Sequence, residues 1–176
     1  SMFTNTTGAS NTALGYQALR LNTTGANNTA TGSYALYANT TASFNVAVGY
    51  QSLYANTTGT ANTAIGKLAL FGNTTASHNT AVGYDALRVN TTGASNVAVG
   101  SGALYANTTA SNNTAIGVSA LSLNTTGTSN SAVGTLAGSA LTTGSNNTAL
   151  GHLALDGTND GAGNTAIGKQ ALSENC

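Results

Sequence analysis

The side chains of this sequence with the widest chemical range are its two histidines, four carboxylates, one cysteine and seven tyrosines. Metal binding or acid–base catalysis requires several of the first three kinds to converge. His78 and His152 fall at different phases of the repeat described below and four rows apart, roughly 19 Å along a stack with about 4.7–4.9 Å per strand. That separation excludes a shared metal or a His-based triad within one chain. Among Asp85, Asp156, Asp160 and Glu174 only Asp156 and Asp160 are neighbours. Their segment, DGTNDGAGN, places Asp156, Thr158, Asp160 and Gly161 where a calcium loop has its first, third, fifth and sixth residues. The twelfth place holds Ile167 rather than a bidentate acid, so the segment reads as a degenerate turn. Cys176 is the last residue, so no disulfide framework or cysteine cluster exists, and the thiol reads as a boundary or an added handle. No phosphate loop and no GxSxG elbow occur. Neither catalytic residues, nor metal ligands, nor a cofactor are expected, and an enzyme is not.

The tyrosines are more regular. Tyr16, Tyr50 and Tyr84 share one phase of the repeat, and Tyr37, Tyr54 and Tyr105 share another with Phe71. On a rod with little charge, such columns should either be buried at a subunit interface, the favoured reading, or offer ring faces to sugars.

What must position these rings is a repeat. Rows of 17 residues from Asn5 run ten times to Glu174 without an insertion. The first row is NTTGASNTALGYQALRL. Eight rows open with NTT, at Asn5, Asn22, Asn39, Asn56, Asn73, Asn90, Asn107 and Asn124; the last two open with Leu141 and Thr158. The seventh position is always Asn: Asn11, Asn28, Asn45, Asn62, Asn79, Asn96, Asn113, Asn130, Asn147 and Asn164. The ninth is always Ala and the eleventh always Gly. The tenth is aliphatic except at Thr31, and the fifteenth is Leu except at Gly138. Residues 1–4 therefore read as an expression scar (Ser1-Met2) and lead-in, 5–174 as the repeat domain, and 175–176 as the end of a fragment.

Each row carries about two large apolar side chains and cannot bury a core alone, so rows must stack. Gly, Asn and paired Thr in every row argue against helix. The expected fold is all-β: a parallel β-solenoid of ten coils, roughly 48 Å long at about 4.8 Å per coil. Asn-Thr-Ala-aliphatic-Gly supplies one strand, and positions twelve to sixteen are read as a second. The stacked Asn of the seventh position should form an internal amide ladder. The NTT rows match glycosylation sequons, but turn formation explains them structurally.

Composition narrows function. Thr, Ala, Asn and Gly fill about three-fifths of the chain, with 4 basic and 4 acidic residues and no Pro. Arg20, Lys67, Arg88 and Lys169 cannot form a nucleic-acid footprint, and no run approaches a membrane span or a signal segment.

The cores NTALG, NVAVG and NTAIG resemble the NSVAIG-type head repeat of trimeric autotransporter adhesins and related phage tail-fibre proteins. Val46-Ala47-Val48-Gly49 and Val97-Ala98-Val99-Gly100 match most closely, and the resemblance covers all ten rows. The 17-residue period is longer than is typical of those heads, and Thr usually stands where they have Val. The resemblance implies a left-handed parallel β-roll, a homotrimer, and a secreted or virion-borne fibre that binds a cell-surface glycan or protein receptor, or acts as a spacer. The alternative is an ice-binding solenoid using the ladder Thr12, Thr29, Thr63, Thr80, Thr114, Thr148 and Thr165. Against it, Val46, Val97 and Ser131 interrupt that ladder, and within the strand segments Thr-x-Thr occurs only at Thr29 and Thr31.

Overall fold

The computed structural model of the chain describes residues 2–157 and 160–173. In every row the eighth to tenth residues form one three-residue strand: β1 (Thr12–Leu14), β2 (Thr29–Thr31), β3 (Val46–Val48), β4 (Thr63–Ile65), β5 (Thr80–Val82), β6 (Val97–Val99), β7 (Thr114–Ile116), β8 (Ser131–Val133), β9 (Thr148–Leu150) and β10 (Thr165–Ile167). Each pairs in parallel with the next, giving one ten-stranded sheet in sequence order. The register never slips: Ala13 faces Ala30, Ala30 faces Ala47, and so on to Ala149 and Ala166. The fold is a β-solenoid, and among the described residues there is no helix.

The second strand expected over positions twelve to sixteen does not form. The backbone is left-handed at the thirteenth and fifteenth positions of each coil, as at Tyr34 (φ 59) and Leu36 (φ 51), which breaks the extended run. Left-handed backbone costs an L residue about 1–2 kcal/mol. What offsets it is the direction of the amides. Tyr34 donates its N–H back to the Tyr16 carbonyl (2.8 Å), while Leu36 donates forward to that of Ser52 (3.0 Å). The turn is thereby laced to the coils on both sides, and its backbone groups are satisfied along the rod.

Leu at the fifteenth position points inward and is fully buried from Leu19 to Leu121, beside the Ala of the ninth and fourteenth positions. Burying one Leu side chain contributes about 1.5–3 kcal/mol. Gly at the eleventh position has φ between 131 and 138 from Gly32 to Gly134, outside the comfortable range of side-chain-bearing residues. A Cβ at Gly83 would meet the Gly100 carbonyl oxygen at 2.5 Å. Both facts explain why nothing larger occupies that column.

The one Gly in the Leu column has a neighbour that compensates for it. A Cβ on Gly138 would meet Leu121 Cδ2 at 2.9 Å and Leu141 Cδ1 at 3.2 Å. Leu141, which stands where eight other rows have Asn, is buried and fills the space that a Leu at 138 would take.

Candidate functional site

Two amide ladders run inside the wall. In the seventh column each Asn reaches forward. Asn11 Oδ1 accepts the N–H of Asn28 (2.9 Å), and Asn11 Nδ2 donates to the Gly25 carbonyl (2.8 Å). The pattern continues to Asn164, whose N–H donates to Asn147 Oδ1 at 2.9 Å. The second ladder is the Asn of NTT. Asn39 Nδ2 donates back to Asn22 Oδ1 (2.8 Å) and to the Ala42 carbonyl of its own turn (2.9 Å), and the chain of amides reaches Asn124. The turn role expected of this column is thus joined by a ladder that the sequence alone does not announce. From Asn22 to Asn124 these residues are buried. In the folded chain their Nδ2 atoms are therefore inaccessible to a glycan, whereas Asn5 is exposed.

Thr of the second column adds a third axial series, with Thr23 Oγ1 donating to the Thr40 carbonyl at 3.0 Å and Thr57 Oγ1 to that of Thr74 at 3.0 Å. Thr of the third column is exposed in each of its nine rows, from Thr7 to Thr143.

Each strand turns its Ala into the core, so its first and third residues face outward. The outer face of the sheet carries two columns. One is the Thr series Thr12, Thr29, Thr63, Thr80, Thr114, Thr148 and Thr165, broken by Val46, Val97 and Ser131. The other is the aliphatic series, in which Leu14, Ile65, Ile116, Val133, Leu150 and Ile167 are exposed and Val48, Val82 and Val99 are half-buried. Only one of the two apolar columns evident in the sequence is therefore core.

The seven tyrosines and Phe71 occupy the turn side of the first six coils. Tyr37 stacks on Tyr54 (centroids 5.1 Å, rings within 8°) and Tyr54 on Phe71 (5.3 Å, 10°). Arginines flank this stack: Arg20 lies 5.9 Å from the Tyr37 centroid, and Arg88 lies 5.8 Å from that of Tyr105, to whose hydroxyl it donates at 3.1 Å. Tyr37, Tyr54 and Phe71 of the sixteenth column thus meet each other within one chain, and Arg88 stands between them and Tyr105. Tyr34, from the thirteenth column and not singled out by the sequence, bridges the two sets. It packs edge-on to Tyr16 (5.4 Å, 81°) and 5.9 Å from Tyr37. Tyr16, Tyr50 and Tyr84 remain outermost, 64%, 47% and 51% exposed. Lys67 Nζ sits 5.6 Å over the Tyr84 ring. The Asp85 carboxylate accepts a hydrogen bond from the Tyr84 hydroxyl, and this bond together with its negative charge holds the phenol above its usual pKa. The buried Asp85 has Arg88 Nε 3.5 Å away as its ionic partner.

The remaining polar candidates are dispersed. His78 and His152 are both exposed. Asp156 accepts from Ser139 Oγ, and Asp160 Oδ1 accepts from Thr142 and Thr143 (2.8 and 2.6 Å), so both carboxylates are engaged by the preceding coil. Thr158 of the calcium-loop pattern lies outside the described residues, as do Ser1, Glu174, Asn175 and Cys176. Among the described residues no group of three His, Cys, Asp or Glu could hold a metal ion, and no helix is long and apolar enough to cross a membrane. Comparison with family models, curated proteins and solved structures gives no significant match.

Proposed function

We propose that this chain is a non-enzymatic segment of an extracellular fibre, on a bacterial surface or a phage tail, that assembles as a homotrimer and serves as a rigid spacer with adhesive surfaces. One observation carries the reading. The outer face of the sheet bears an aliphatic column from Leu14 to Ile167, broken at Thr31, in which Leu14, Ile65, Ile116, Val133, Leu150 and Ile167 are exposed and Val48, Val82 and Val99 half-buried. An exposed apolar strip along a rod is an interaction surface, because leaving it in water forgoes about 25 cal/mol per Å². Three copies turning this strip to a common axis bury it symmetrically and leave the tyrosine side available. The number three comes from the resemblance of the NVAVG and NTAIG cores to trimeric adhesin heads.

Mass in solution by light scattering tests the assembly. A trimer is expected for the unaltered chain and a monomer for the doubly substituted Ile65→Glu/Ile116→Glu. A strictly monomeric unaltered chain at high concentration removes this reading.

A second reading uses the same face. The Thr column runs beside the aliphatic column in register, at about 4.7–4.9 Å per coil, which is the layout of a surface that orders water. Thermal hysteresis and faceted ice crystals from a monomeric rod would favour ice binding. Their absence removes it.

A further inference from the structure

We propose that the turn face of the first five coils binds an extended, neutral, β-1,4-linked polysaccharide, lying along the rod on Tyr16, Tyr50 and Tyr84. The proposal names the ligand class for the adhesive part of the preceding reading, and it does not depend on the assembly.

The argument begins with spacing. The three tyrosines occupy the same position in alternate coils, so successive rings lie about 9.4–9.8 Å apart along the axis, twice the strand spacing. A β-1,4-linked chain of pyranoses is extended, and each sugar is turned over relative to the last. The same apolar C–H face therefore recurs once per disaccharide, and a disaccharide is close to the two-coil spacing in length. Three rings then meet the first, third and fifth sugars of one chain.

Chemistry supports the same occupant. Tyrosine rings stack on the C–H faces of sugars and offer a hydroxyl at the edge. Between them in the column stand Ser33 and Lys67, polar groups placed for the hydroxyls of the intervening sugars. Two of the three rings have neighbours that order them: Tyr34 packs edge-on to Tyr16 at 5.4 Å, Gln17 Nε2 donates to the Tyr16 hydroxyl at 3.0 Å, and Lys67 Nζ lies 5.6 Å from the Tyr84 centroid. Pre-ordered rings lose little freedom on binding. The chain carries 4 basic and 4 acidic residues for a net charge of zero, which matches a neutral polymer better than a sulfated or uronic one. In the next two coils Ser101 and Val118 hold the same column, so the row of rings ends at Tyr84.

The test is a titration of the whole chain with oligosaccharides of two to six sugars. Tyrosine emission is the signal, since the sequence has no Trp. The probes are β-1,4-glucose oligomers, β-1,4-N-acetylglucosamine oligomers and α-1,4-glucose oligomers. Affinity is expected to rise at three and again at five sugars of at least one β-1,4 series, and then to level off. Tyr50→Ala and Tyr84→Ala should each weaken pentasaccharide binding roughly three- to tenfold. Phe at either position should restore it, and Tyr105→Ala should change nothing. Unaltered melting curves check that the variants fold. Failure of both β-1,4 pentasaccharides to bind, equal binding of the α-linked series, or affinity independent of length overturns the proposal. A monomeric mass would leave it standing, and loss of glycan binding would leave the trimer standing.

Discussion

Asn124 Oδ1 is buried and accepts no hydrogen bond from any described residue, because the next residue in its column is Leu141. In every other described step of that ladder an Asn Nδ2 reaches back to the Oδ1 below, as Asn90 does to Asn73 at 2.9 Å. The interruption leaves one acceptor unpaired, a cost of about 1–3 kcal/mol. It coincides with the replacement of the core Leu by Gly138, whose space Leu141 takes.

The two departures should therefore behave as one unit. Leu141→Asn alone is expected to destabilise by about 2–4 kcal/mol through the cavity it opens, and Gly138→Leu alone by about 1–3 kcal/mol through overpacking. The double substitution restores the pattern of the other coils and should be at least as stable as the unaltered chain. Denaturant unfolding measures the cycle, and simple additivity of the two losses would rule out the coupling.

Removing a rung mid-ladder should cost more than removing an exposed hydroxyl in the same tripeptide. Asn73 Nδ2 donates to Asn56 Oδ1 (2.9 Å) and the Ala76 carbonyl (3.0 Å), and its Oδ1 accepts from Asn90. Asn73→Ala strands these partners, at least about 2 kcal/mol, whereas Thr75→Ala should stay within about 0.5 kcal/mol. Equal melting temperatures for the two variants would show the ladder to be dispensable.

Gly83→Ala is expected to be disproportionately harmful for so small a change. The new methyl meets the Gly100 carbonyl oxygen at 2.5 Å and the residue must keep φ near 138. Strain of about 1–3 kcal/mol from the backbone conformation adds to the clash. A melting temperature within 1 or 2 degrees of the unaltered chain's, about the noise for a loss well under 1 kcal/mol, would contradict this.

The last coils should respond to acid. Hydrogen bonds from Thr143 and Thr142 lower the Asp160 pKa below its ordinary value. A carboxylate with a depressed folded-state pKa stabilises above its unfolded pKa, and that stabilisation is lost as pH falls through the folded value. Protection of amides around Thr142 and Thr143 should thus decline between about pH 5 and pH 2. Asp160→Asn should flatten the dependence, and a decline unchanged in that variant would assign it to another group.

The legible part of the fold was what repeats without variation. Invariant Asn, Ala and Gly at the seventh, ninth and eleventh positions marked the strand, its inward residue and the bend after it. The turn was not legible, because its left-handed residues are types such as Leu36, Gln51 and Tyr34 rather than the Gly or Asn that usually announce that conformation. Axial hydrogen bonds from neighbouring coils hold them there, and such bonds leave no mark on local propensity. The NTT Asn does form the turn expected of it, as Asn39 does with the Ala42 carbonyl, but its ladder role was not legible, because a buried ladder and a turn former use the same residue. The signal that separates them is the joint loss of Asn and Leu at Leu141 and Gly138. Among the aromatics, phase alone grouped Tyr37, Tyr54 and Phe71, but Tyr34 lies off-phase and is brought in only because adjacent columns of adjacent coils touch.

The absence of insertions across ten rows has a mechanical meaning. Pulled from its two ends, such a chain unwinds from a terminus one coil at a time, because each coil is laced only to its immediate neighbours. Every release frees 17 residues, about 56–61 Å of extended chain, in exchange for a few ångströms of rod. The force–extension trace should be a sawtooth of equal increments whose peak heights alone vary, lowest where the ladder breaks at Leu141. The same uniformity that makes the wall stiff makes it a yielding tether of fixed step.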